Sequence, residues 1–213
     1  MEQRPVDLTV AALAASAVGI GAWEARRGEL RAAEARWFSG VNGISERWLV
    51  PAWLVMQAGS LGGALGIGGA TAASGRAELG RRLALVGSLA WTGSKLVKPL
   101  AQRGRPSSVV DAARILGRAQ TGLGYPSGHA AVAVAMASAA TAQVPWRWRV
   151  PVWSAAGVVA AARIYVGAHL PLDVAGGAAL GLATERSVRA IRGPAGRPGQ
   201  RPAPDAAPGG RTG

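Results

Sequence analysis

The stretch "GYPSGHAAVAVAMASAATAQVPW", residues 124–146, sets Pro126, Ser127, Gly128 and His129 at the mouth of a run that carries no charge from 130 to 146. Serine is a favoured residue at a helix N-cap, so the run reads as an apolar helix with His129 in its first turn. Similar charge-free runs occur at roughly 8–23, 48–75, 83–94 and 150–162, and a shorter one follows Asp173 to about 184. A bilayer core of ~30 Å takes roughly 20 mostly apolar residues as helix. Several of these runs reach or approach that length once flanking residues are included. With 49% hydrophobic and only 16% charged residues in 213, the chain reads as an integral membrane protein of the all-α class, a six-transmembrane-helix bundle.

The net charge of +13 would suggest nucleic acid as the partner of a soluble protein, but here the arginines lie between the apolar runs and in the C-terminal tail. Membrane topology accounts for them, and no nucleic-acid partner is expected. The absence of cysteine excludes a disulfide and a thiolate metal site. The leader "MEQRPVD" sets Glu2 and Asp7 against Arg4, a poor n-region for a signal peptide; the first run therefore reads as a retained span.

The runs fall in a domain over 1–190, followed by a Pro/Gly/Arg-rich tail over 191–213 that has too few apolar residues for a core and reads as disordered and cytoplasmic. Within the domain, 24–48 mixes Arg and Glu with Trp37, Phe38 and Trp48, as an amphipathic helix at headgroup level would. The second span is glycine-rich ("GSLGGALGIGG"), which suits either close helix contact in lipid or a flexible, loosely packed helix. The third span is expected to end near Pro99 and the sixth to begin near Pro171, and the largest internal loop runs from 101 to 125. Six spans put both termini on one face. Arginines at 75–82, at 145–149 and in the tail make that face cytoplasmic.

Three motifs carry the chemistry. "KPLAQRGRP" supplies Lys98 and Arg105, "PSGH" supplies Ser127, Gly128 and His129, and "RIYVGAHLPLD" supplies Arg163, His169 and Asp173. The first two bound the 101–125 loop, and two further spans return the third to the same, extracytoplasmic face. Taken singly, the first two have ordinary explanations, snorkelling cations and a capped turn; the third is harder to dismiss. Together they bring both histidines of the chain and three cations to one side of the membrane, where ionisable groups in spans are costly and usually functional.

Those groups suit phosphoryl transfer. Lys98, Arg105 and Arg163 supply positive charge and forked donors for phosphate oxygens. Ser127 and the backbone amides at the start of the fourth span present a helix N-terminus to an anion. Asp173, four residues after His169, orients one ring nitrogen so that the other faces phosphorus as the nucleophile. His129 then protonates the leaving oxygen. The cations fill the charge-stabilising role, so neither a metal nor any other cofactor is required.

The order Lys-x6-Arg-Pro, Pro-Ser-Gly-His, Arg-x5-His-x3-Asp resembles the type 2 phosphatidic acid phosphatase (PAP2, lipid phosphate phosphatase) superfamily, which shares its phosphate site with bacterial acid phosphatases and vanadium haloperoxidases. The motifs span 98–173, and the six-span arrangement extends the resemblance to about 190. It implies a phosphohistidine at His169 backed by Asp173, His129 as acid, and Lys98, Arg105, Ser127, Gly128 and Arg163 around the phosphate. In one departure, Ala162 stands where the third motif usually has a serine, so one hydroxyl is missing beside the phosphate.

Two other classes compete. Ser127 with a histidine would suit an intramembrane serine protease, which leaves Lys98, Arg105 and Arg163 without a task. A non-enzymatic scaffold or transporter would use the arginines for anionic lipid headgroups. The enzyme reading implies a substrate whose tail lies between helices: a polyprenyl diphosphate, phosphatidic acid, phosphatidylglycerol phosphate or a phosphorylated polyprenyl sugar lipid, met among other membrane lipids. Phosphotransfer to another alcohol stays open, as does the oligomeric state.

Overall fold

The computed structural model describes residues 3–193. Among them the regular structure is helical throughout, in nine α-helices: α1 (Gln3–Arg26), α2 (Ala32–Asn42), α3 (Leu49–Met56), α4 (Leu61–Ala73), α5 (Ala77–Ala101), α6 (Pro106–Val109), α7 (Gly128–Thr141), α8 (Arg149–Tyr165) and α9 (Pro171–Arg192). The expected tail from 191 overlaps the end of α9, and the remainder of that expectation falls outside the described residues.

The six apolar runs map onto α1, the α3–α4 pair, α5, α7, α8 and α9. Their lengths match six uniform spans less well. Among the described residues, by length and composition only α1 is long and apolar enough to cross a membrane, with the α3–α4 pair as a second if its two parts count as one. Helix α7 has 14 residues and α8 has 17, whereas α5 and α9 are long but carry charged residues along their length.

The second run is broken where a continuous helix was expected. Glu46–Gly59 and Leu61–Ala73 meet at 71°. Ser60 makes the break: its backbone is extended, and its side chain accepts the Gly63 N–H at 2.8 Å while donating to the Gln57 carbonyl at 2.7 Å. That capping hydroxyl starts a new helix where the old one would have continued. Gly59, just before it, abuts α7, where an added Cβ would stand 2.7 Å from the His129 carbonyl oxygen. The break therefore lays the turn directly on His129. The interfacial segment likewise resolves into parts: 24–26 complete α1, and α2 occupies 32–42.

Helix α7 is the centre, in contact with α5, α8 and α9. Gly128 and Ala130 through Ala139 are all buried, which is why its sequence shows no polar face. Ala, Val and Gly let the neighbours approach closely. Gly177 and Gly181 lie four apart on one face of α9, and a Cβ at either would collide with a carbonyl oxygen of α7, that of Ser127 or of Ala131. Gly181→Ala has no side chain in its way that can swing aside. It is expected to destabilise the protein by about 1–3 kcal/mol, read as a lowered Tm in detergent.

Tyr125 wedges the third partner into place. Fully buried, it donates its hydroxyl to the Val18 carbonyl at 2.8 Å, and Gly21 of α1 and Gly176 of α9 leave room for the ring. The chain entering α7 is thereby pinned between the first and last helices.

Candidate active site

Each motif sits where a helix begins or ends. Lys98 is in the last turn of α5, which runs past Pro99 to Ala101. Its Nζ donates to the carbonyls of Leu123 (2.8 Å), Gly124 (3.0 Å) and Pro126 (3.1 Å). All three of its donors are thus committed to the chain leading into "PSGH". Lys98 brings its charge to the site but leaves no free N–H for a ligand. Arg105 likewise spends Nε on the Thr121 and Gly122 carbonyls (both 3.1 Å) and one terminal nitrogen on the Ala168 carbonyl at 2.7 Å. This ties the first motif to the third.

Ser127 caps α7, although its oxygen accepts the Ala130 N–H only at 3.5 Å. Its own N–H donates to the Asp173 carbonyl at 2.8 Å, so the second motif is hydrogen-bonded to the third. Gly128 packs so tightly on α5 that a Cβ would stand 2.8 Å from Ser94 Oγ and 3.3 Å from the Trp91 ring. His129 is half-buried and meets that indole edge-on, with ring centroids 5.7 Å apart.

At the end of α8, Arg163 is 5% exposed; one terminal nitrogen lies 3.4 Å from Met56 Sδ, and its Nε has no partner among the described residues. A buried guanidinium N–H without an acceptor is unusual. Arg163 and His129 both line a cavity of about 380 Å³. Its other walls are apolar side chains of α3 (Leu49, Val50, Trp53), the 115–120 loop with Arg118 and Gln120, and the 166–168 turn.

His169 follows that turn and is 3% exposed. Asp173 is at the third position of α9, after Pro171 at its start, and its Oδ2 accepts the Leu170 N–H at 2.9 Å. The same oxygen stands 3.5 Å from His169 Nδ1, which has no hydrogen-bond partner among the described residues. That separation is long for a hydrogen bond, but the i, i+4 placement aims the carboxylate at Nδ1 and leaves Nε2 free of it. Burial pushes His169 down to about 4, the Asp173 carboxylate opposes this, and Arg163 and Arg105 add to it. Near neutral pH the ring is therefore uncharged, and it becomes charged only as pH falls toward 4. Burial also lowers Arg105, partly offset by Asp173.

The structure thus brings all eight residues singled out from the sequence, Lys98, Arg105, Ser127, Gly128, His129, Arg163, His169 and Asp173, to one end of the bundle. The pattern did not single out Arg103, Glu34, Lys95 or Asn42. Arg103 bridges Asp173 and Glu34 of α2. Lys95 stands 4.9 Å over the Trp91 ring, which places a further cation one helical turn from Lys98. Asn42, buried at the end of α2, exchanges 2.8 Å hydrogen bonds with the Arg114 backbone and donates to the Tyr165 carbonyl at 2.8 Å, so it fixes the cavity loop to α8. Of these, Arg103 had a legible signal, since it lies inside "KPLAQRGRP" two residues before Arg105.

No curated protein matches the chain. Among solved structures it is similar to the crystal structure of a transmembrane PAP2-type phosphatidylglycerolphosphate phosphatase from Bacillus subtilis, with a TM-score of 0.46 and 20% identity over 88% of this chain and 92% of that one. The sequence model of the PAP2 superfamily matches residues 80–196, more than half of the chain and all eight of these residues, and the chain belongs to that superfamily.

Proposed function

We propose that this protein is a membrane-embedded lipid phosphate phosphatase that works through a phosphohistidine at His169, with its site on the extracytoplasmic face. The observation that carries this reading is the convergence at the cavity. His129 and Arg163 line it, while the Arg105 hydrogen bond to the Ala168 carbonyl and the Ser127 N–H donated to the Asp173 carbonyl tie the first and second motifs to the third.

In the first step His169 Nε2 attacks the terminal phosphorus, a P–N bond forms and the P–O bond to the lipid breaks. His129 gives its proton to the departing oxygen. Water then attacks phosphorus, His129 takes a proton from it, and the P–N bond breaks to release inorganic phosphate and free His169. Arg163 and Arg105 stabilise charge on the phosphoryl oxygens, joined by backbone N–H groups at the start of α7. Lys98 contributes charge and holds the 123–126 backbone.

A lipid substrate fits the cavity's apolar α3 wall, and a membrane setting fits the outer surface. Leu13, Ile20, Leu96 and Val158 lie on the outside of the bundle at 51–71% exposure, and Trp23, Trp37, Trp48 and Trp146 are likewise exposed, as interfacial anchors would be.

The test is phosphate release from a panel of lipid monophosphates and diphosphates by the full chain in detergent with EDTA present. Ser127→Ala separates this reading from a serine protease. Ser127 has no hydrogen bond to either histidine among the described residues. Its loss is expected to lower kcat/KM by about tenfold, the scale of one hydrogen bond, whereas a serine nucleophile would leave no activity.

A further inference from the structure

Asp173 is held from the side away from His169. One Arg103 terminal nitrogen donates to Asp173 Oδ1 at 3.2 Å, and the guanidinium fork closes on Glu34 of α2 at 2.6 and 3.0 Å. Glu34 Oε1 also accepts the Leu172 N–H at 2.9 Å in the first turn of α9. Arg103 is 6% exposed, and its carbonyl accepts the Gly124 N–H at 2.8 Å. A planar fork that contacts two carboxylates fixes the plane of each. With Oδ1 taken by Arg103, Oδ2 is the oxygen left to face both Leu170 N and His169 Nδ1.

We propose that Arg103, itself held by Glu34, is the positioning residue of the Asp173–His169 pair, fixing the carboxylate that orients the nucleophile and offsetting its charge. This rests on the phosphohistidine reading above. Among the described residues Arg103 has no hydrogen bond or ion pair to His169 and does not line the cavity, so it acts through Asp173. Burial works against its own charge, but Glu34 and Asp173 outweigh that and hold its pKa above the ordinary arginine value. It stays a cation throughout the working range.

The charge balance around His169 gives a sign that can be measured. Asp173 of α9 favours its protonated form, whereas Arg163 of α8 and Arg105 before α6 oppose it, and His129 of α7 couples to it. Lys98 of α5 also acts on Asp173, and Glu34 lies beyond Arg103. Arg103 screens the Asp173 charge felt by the ring. Removing the guanidinium should raise the His169 midpoint, whereas neutralising Glu34 leaves Arg103 to Asp173 alone and should lower it. General loosening of the site would move both variants in the same direction.

With two histidines in the chain, imidazole NMR of the full protein in detergent resolves His169 once His129→Gln has assigned the other ring. Arg103→Met should raise the His169 midpoint by about one unit, Arg103→Lys should restore most of it, and Glu34→Gln should lower it. The acid limb of kcat/KM should follow these shifts. An unmoved midpoint in Arg103→Met, or a rise in Glu34→Gln, overturns the proposal; if Arg103→Met does not fold, the direction in Glu34→Gln decides. Because the titration needs no turnover, a protein that releases no phosphate from any lipid would count against the phosphatase reading alone.

Discussion

His169→Ala should abolish phosphate release, by a factor on the order of 10⁴ or more, while leaving the protein folded and able to bind lipid. The size follows from covalent catalysis. Removing a nucleophile removes the pathway itself, and what remains is the modest rate that charge stabilisation and positioning supply to direct attack by water. Arg105, Arg163 and the start of α7 stay in place in this variant, so substrate affinity should change little and the loss should appear in kcat. Structural damage should be small, because among the described residues His169 Nδ1 makes no hydrogen bond and Asp173 keeps Arg103 and Leu170 N. A second readout identifies the bond: the parent, quenched in alkali with a labelled terminal phosphate, should carry label on histidine, and the variant none. Undiminished release by His169→Ala would refute the nucleophile assignment. Loss of activity with label still present would move the nucleophile to His129.

How much of this was legible in the sequence depends on the range over which each feature is encoded. The three motifs are local, and each lies at a helix end defined by strong local signals: Ser127 before α7, Pro171 at the start of α9, Lys98 in the last turn of α5. Charge-free runs located the long helices because burial and lipid both demand apolar residues. They did not disclose the α3–α4 break, since Ser60 and Gly59 are apolar enough by hydropathy to pass inside a run. Only the capping geometry of Ser60 and the contact of Gly59 with α7 turn them into a bend. Nor did the sequence reveal that Lys98 exhausts its donors on backbone carbonyls. A lysine in a phosphate motif looks the same whether it reaches for the ligand or for the loop that holds the ligand. The Glu34–Arg103–Asp173 bridge joins residues 69 and 70 positions apart, and one sequence offers no periodicity that would pair them.

Glu185→Ala is the second large effect, and it falls on stability. At the opposite end of α9 from His169, Glu185 is fully buried; its Oε1 lies 3.3 Å from Arg82 of α5, and its Oε2 accepts the Ser138 hydroxyl of α7 at 2.9 Å. Arg82 also donates to the Gly193 carbonyl at 2.8 Å, and beside this pair Asp7 of α1 accepts from Arg186 at 3.0 Å and from Arg189 at 3.1 Å. Helices α1, α5, α7 and α9 are thus linked by ion pairs and the Ser138 hydroxyl at the end remote from the chemistry. Truncating Glu185 leaves a guanidinium that is 7% exposed without its carboxylate. Breaking such a buried pair from one side costs about 3–5 kcal/mol, because the remaining charge keeps its desolvation penalty and loses its compensation. In a chain of this size that should lower Tm by on the order of 10 °C. Glu185→Gln retains an acceptor for Ser138 and should lose less. Replacing both partners, Arg82→Met with Glu185→Leu, removes the uncompensated charge and should recover most of the loss. Measured per folded molecule, kcat should be unchanged in all three. Glu185 lies twelve positions beyond Asp173 on α9, roughly 18 Å of helix, so a fall in kcat at full folding would mean that the remote network also governs the geometry around His169.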